Sequence, residues 1–123
     1  MKFQFPAIFW ALLIFSLSSI HHIPEINSPV SPDKVAHTGV FFLLTMFCWR
    51  AFKNQGRIRW LSSYPAFSAF AFTCFYGISD ELHQRYVPGR TPDVNDLVFD
   101  IFGGVLFVVV LWLLQYRKAS REA

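Results

Sequence analysis

The sequence predicts an all-α membrane protein, a bundle of four transmembrane helices with both termini on the cytoplasmic side. Three observations carry that expectation. The 123 residues are 54% hydrophobic and 15% charged, too apolar a composition to hide in one soluble core. Four runs, 3–20, 35–52, 60–79 and 94–116, approach the roughly 20 residues a helix needs to cross about 30 Å of hydrocarbon. Eight of the eleven basic residues (Lys2, Arg50, Lys53, Arg57, Arg59, Arg117, Lys118 and Arg121) lie at the two ends and beside the second connection. The positive-inside rule assigns that side to the cytoplasm.

The first run carries Gln4 and Pro6 near its start and otherwise apolar residues and small hydroxyls, so it reads as an anchoring and packing segment. Lys2 and the stretch after it imitate a signal peptide, but Ser16 to Ile20 makes a poor cleavage site, which favours a retained span. The connection from His21 to Pro32 is rich in proline and polar residues and reads as an irregular outer loop, with His21 and His22 interfacial. Ser31-Pro32-Asp33 then opens the second run as N-cap, first-turn proline and an acid favoured by the helix dipole. Asp33 and His37, four apart, share one helix face. An imidazole one turn into a membrane helix needs partners for its nitrogens, which marks His37.

Lys53 to Arg59 predicts a short turn at Gly56, flanked by Trp49, Trp60 and Tyr64 as interfacial aromatics. In the third run Ala66, Ala69, Thr73 and Gly77 recur at helical spacing and give one thin stripe where a neighbouring helix can approach closely. If the helix continues past Ser79, Glu81 and Gln84 extend that stripe. Tyr76, Asp80 and His83 then fall on the adjoining face, where Asp80 and Arg85 read as a solvated end. Tyr86 to Arg90 supplies a tight turn, and Thr91-Pro92-Asp93 repeats the cap, proline, acid order. Asp93, Asp96 and Asp100 recur at spacings of three and four, and Gly103, Gly104 and Phe107 continue their face. Those carboxylates therefore point along small residues toward other helices, away from lipid.

All four histidines and seven of the eight acids fall in the outer connections or the outer ends of the runs, which predicts one polar site on the outer face. The two similar helix starts suggest two related hairpins that bring Asp33 and His37 toward Asp93 and Asp96. Cys48 and Cys74 sit at opposite depths and are expected as free thiols. A carboxylate beside an imidazole suits general base chemistry, and Arg85 and Arg90 suit bidentate recognition of phosphate or carboxylate. His37, Glu81, His83 and Asp96 are metal-capable side chains, but no spacing among them is that of a metal motif, so no metal is assigned. Nor is there a nucleic-acid signature.

Asp33-Lys34-x-x-His37, then Asp80-Glu81-x-x-Gln84-x-x-x-Pro88-Gly89-Arg90, then Asp93-x-x-Asp96-x-x-x-Asp100-x-x-Gly103 together resemble the VanZ-like family of small bacterial membrane proteins. The resemblance covers residues 33–104 within a single domain spanning 1–123. Its last polar position is often Asn where this chain has Asp100. The resemblance implies a multi-pass protein of the bacterial cytoplasmic membrane whose name-giving member is linked to teicoplanin resistance, and it brings no catalytic mechanism or cofactor.

Two functions fit. In the first, Asp33, Lys34, Gln84, Arg90, Asp93 and Asp100 line a pocket that binds or shields a membrane lipid, a lipid-linked cell-wall precursor or a lipoglycopeptide, without chemistry. In the second, the protein is a hydrolase or transferase on a lipid headgroup, with His37, Glu81 and Asp96 as catalytic acid and base groups. Ion transport is disfavoured because Cys74 is the one polar side chain noted near mid-depth. A single bundle and a homodimer are both compatible with the stripes of small residues.

Overall fold

The computed structural model describes residues 2–20, 32–90 and 93–122, apart from the side chain of Asp33. The described residues form helices joined by turns: α1 (Gln4–Ser18), α2 (Pro32–Lys53), α3 (Arg59–Ser63), α4 (Pro65–Gln84) and α5 (Val94–Glu122). The outer loop with His21 and His22, and the capping positions Ser31 and Thr91, lie outside the described residues.

Helix α2 is the centre of the bundle and touches each of the others. Trp10 Nε1 donates to the Val40 carbonyl at 2.9 Å, and the Tyr76 hydroxyl donates to the Ala11 carbonyl at 2.6 Å, so α1 is fastened to both α2 and α4. The pairings Phe41 with Tyr76 and Thr45 with Thr73 set α4 antiparallel to α2. His37 against Asp100 and Trp49 against Phe107 set α5 parallel to it. The α1–α2 hairpin and the α4–α5 hairpin therefore run alongside one another, as the repeated helix starts suggested. Ile14, Phe41, Leu44, Cys48 and Ala69 form the buried core between them.

Small residues decide how closely the helices meet. A Cβ on Gly103 would overlap the Thr38 carbonyl oxygen and reach within 3.0 Å of the Phe42 nitrogen, so α5 presses on the backbone of α2 there. On α4 the stripe is realised: Ala69, Thr73 and Gly77 are buried, while Phe67 and Phe75 point outward. On α5 the buried residues are Asp96, Asp100, Gly103, Gly104 and Phe107, the face read from spacing.

Three boundaries depart from the sequence expectation. The first helix has 15 residues, about 22 Å, and falls short of a full hydrocarbon crossing. The third run breaks at Tyr64, whose φ of −126° and ψ of 55° leave the helical region because Pro65 follows. Proline then serves as the first residue of α4, where its missing N–H costs nothing, and α4 continues past Ser79 to Gln84. The last helix runs on past Tyr116 to Glu122, and the residue at its start that caps it is Asp93, whose carboxylate accepts from the Asn95 backbone N–H at 2.9 Å. Mid-depth is also more polar than expected, since Thr45 and Thr73 hydrogen-bond at 2.9 Å in full burial.

Among the described residues two helices, α2 over Lys34–Lys53 and α5, are long and apolar enough to cross a membrane. Large apolar side chains cover the exterior of the bundle, among them Phe5, Phe67, Phe75, Val94 and Trp112, each more than half exposed. That surface is the one lipid would solvate.

Candidate functional site

The topology brings the C-terminal ends of α1 and α4 together with the N-terminal ends of α2 and α5. Polar side chains from all four converge there. His37 on α2 and Asp100 on α5 form a pair between helices: Nδ1 and Oδ1 are 2.8 Å apart, and Asp100 is 1% exposed. The other ring nitrogen of His37 lies 3.9 Å from the Asp96 carboxylate. Asp100 Oδ2 is buried against Gly77 and has no hydrogen-bond partner among the described residues.

Glu81 stands one turn further out on α4. Its Oε2 accepts from the Asp93 backbone N–H at 3.0 Å, and its Oε1 is buried without a partner among the described residues.

Beside this acid and imidazole cluster lies an open pocket of about 160 Å³ lined by Ser18, His37, Asp80, Gln84 and Arg90 and by apolar residues that include Ile14, Leu17 and Phe41. Val87-Pro88-Gly89-Arg90 forms the turn at its rim. Gly89 takes a φ of 80°, and the Arg90 N–H closes on the Val87 carbonyl at 3.1 Å, the geometry of a type II turn with Pro and Gly in the two central places. The turn folds Arg90 back onto α4, where Nη1 donates to Gln84 Oε1 at 3.3 Å and Nε donates to the Ile20 carbonyl at 3.2 Å.

Of the sequence-predicted residues, the structure unites His37, Glu81, Asp96 and Asp100 in one cluster and Gln84 and Arg90 in the adjoining pocket. Asp93 contributes as a helix cap and as the N–H donor to Glu81. Lys34 lies elsewhere, its ammonium 5.8 Å from the centre of the Phe99 ring. The Asp33 side chain lies outside the description. His83 sits on the α1 side of the bundle, its ring tilted against Phe15 with centroids 4.3 Å apart and its Nε2 2.9 Å from the Ser19 hydroxyl. Among the described residues, no group of three or more His, Cys, Asp or Glu side chains is placed to hold a metal ion.

Sequence reading missed two residues of the pocket. Asp80, taken for a solvated end, is 5% exposed, because Ser18 of α1 donates to its Oδ1 at 2.5 Å and Gln84 Nε2 donates to its Oδ2 at 3.0 Å. The four-residue spacing of Asp80 and Gln84 was the available signal. The contact from Ser18 is 62 residues away in the chain and leaves none.

Residues 3–115 match the family described as VanZ/LLP1. An uncharacterized protein of the fission yeast Schizosaccharomyces pombe is 32% identical over 117 residues, covering 94% of this chain and 67% of its own length. No solved structure matches.

Proposed function

The chain belongs to the VanZ/LLP1 family, and from that premise we propose that it is a multi-pass membrane protein whose pocket binds the headgroup of a lipid-linked molecule. The observation that carries the reading is the pocket itself. It opens among Ser18, His37, Asp80, Gln84 and Arg90 on one side and Ile14, Leu17 and Phe41 on the other, at the end of a bundle with an apolar exterior. Half-polar lining at the boundary of an apolar body suits an amphiphile, whose headgroup needs hydrogen bonds and whose tail needs lipid. Membrane lipids, lipid-linked envelope precursors and lipoglycopeptides share that design. A relative in a yeast supports a ligand found in membranes generally over one confined to bacterial walls.

In this reading all four long helices lie in the membrane, with α1 and α4 completed by their polar outer turns and by the interfacial aromatics Trp60 and Tyr64. The basic residues near Arg50 to Arg59 and after Tyr116 support an orientation with both termini in the cytoplasm and the pocket at the opposite, extracytoplasmic face. Single cysteines at Ser28 and Asn54, in a background with the native thiols removed, test the orientation. An impermeant reagent added outside should label position 28 and spare position 54, and labelling of position 54 would reverse the assignment.

Native mass spectrometry of the protein released from its membranes tests the binding. A lipid should co-purify with the wild type and be lost, by about tenfold or more in occupancy, from Arg90→Ala. Equal retention by both proteins removes Arg90 from any headgroup contact.

The pairing of His37 with Asp100, with the Glu81 carboxyl in the same cluster, favours a second reading, a hydrolase or transferase on the same headgroup. His37 lines the pocket with Asp100 2.8 Å from one ring nitrogen and Asp96 3.9 Å from the other, so that acid and base groups stand together beside the bound headgroup. An enzyme would change the mass of its bound lipid on incubation, and Glu81→Gln would stop that change while leaving the lipid bound.

A further inference from the structure

The two charged groups Asp80 and Arg90 that line the pocket have only neutral partners among the described residues. Asp80 accepts from the Ser18 hydroxyl and the Gln84 amide, while Arg90 donates to the Ile20 carbonyl and to the Gln84 amide oxygen. Among the described residues no basic side chain lies within ion-pair distance of the Asp80 carboxylate, and no acid lies within that distance of the Arg90 guanidinium. Gln84, 1% exposed, stands between them with its NH₂ turned to the carboxylate and its carbonyl to the guanidinium. Its amide holds an anion and a cation apart within one pocket.

A carboxylate taken out of water and given only neutral donors is costly, and a ligand cation beside it recovers much of that cost. The same holds for a guanidinium at the rim, whose fork matches phosphate oxygens. From this we infer that the ligand is zwitterionic, carrying a primary ammonium for Asp80 and a phosphodiester for Arg90, as in a phosphoethanolamine lipid. The inference rests on the headgroup reading above and narrows its ligand class. Leu17 and Phe41 would flank the two methylenes that link ammonium to phosphate. Size agrees, because about 160 Å³ is close to the roughly 150 Å³ cavity that takes a benzene-sized molecule, enough for a compact headgroup and too little to enclose a disaccharide.

The test uses the full-length protein in detergent and three lipids with matched dioctanoyl chains: phosphatidylethanolamine, phosphatidylglycerol and phosphatidylcholine. Affinities are read by native mass spectrometry titration. Phosphatidylethanolamine should bind about tenfold more tightly than phosphatidylglycerol, which lacks the ammonium, and more tightly than phosphatidylcholine, whose quaternary nitrogen has no N–H to donate. Asp80→Asn should bring phosphatidylethanolamine down to the phosphatidylglycerol level and leave phosphatidylglycerol unchanged. The wild-type series decides the matter even where that variant does not fold. Equal binding of all three lipids, with loss of all three in Arg90→Ala, overturns the ammonium subsite and leaves the headgroup pocket standing. Absence of saturable binding by any of them, with Arg90→Ala indistinguishable from wild type, overturns both.

Discussion

Replacing Gly103 by alanine is expected to destabilise the protein by about 2–3 kcal/mol, an overpacking cost at the upper end of the usual range. The added Cβ would overlap the Thr38 carbonyl oxygen and crowd the Phe42 nitrogen. Both are backbone atoms of a helix, so no side chain can rotate aside, and α5 must move off α2. That movement would also separate His37 from Asp100, one helical turn away on the same interface. Gly39→Ala is the control. Nothing lies within 4 Å of the Cβ it would add, and alanine is the better helix former by about 1 kcal/mol. Thermal unfolding in detergent should therefore show a clear fall in midpoint for Gly103→Ala and none for Gly39→Ala. Equal midpoints for the two variants would mean that α2 and α5 do not approach as described.

His37→Ala carries the second large effect, an expected loss of about 3–5 kcal/mol. The ring supplies the hydrogen bond of Asp100 Oδ1, and Oδ2 has no partner among the described residues, so the substitution leaves neither oxygen with a described partner in a carboxyl group that is 1% exposed. Much of the penalty belongs to the stranded carboxyl, so it should shrink when that group is made neutral. In the His37→Ala background, Asp100→Asn should recover stability, and the double variant should lose far less than the sum of the single losses. Costs that simply add in unfolding titrations would show that the two side chains are not coupled.

The line Asp96, Asp100, Gly103, Gly104 and Phe107 was legible in the sequence because one helix encodes its own inward face by spacing. The approach of His37 to Asp96 was legible at one remove, through the repeated helix starts that implied two side-by-side hairpins, whereas its closer contact with Asp100 was not. The Val87–Arg90 turn was legible too, since Pro-Gly in its centre leaves few alternatives. Asp80 was not. Its burial depends on which neighbour covers it, and Ser18 is an ordinary hydroxyl at the end of an apolar helix until the α1 and α4 ends meet. The break at Pro65 was hidden by an apolar run that continues through it, although proline and the aromatic before it marked the place. Lys34 shows the converse error: it sits within the family pattern yet turns toward Phe99.

The central claim is that the pocket at this end of the bundle takes a headgroup from the surrounding membrane. A photoreactive residue in place of Leu17, which lines the pocket, tests it most directly, with the same residue at Phe75, 74% exposed on the outer surface, as reference. After illumination in native membranes, the lipids attached at each position are identified by mass. The account predicts that position 17 captures one headgroup class well above its share of the membrane while position 75 samples the bulk lipids. Capture of the same mixture at both positions would contradict it.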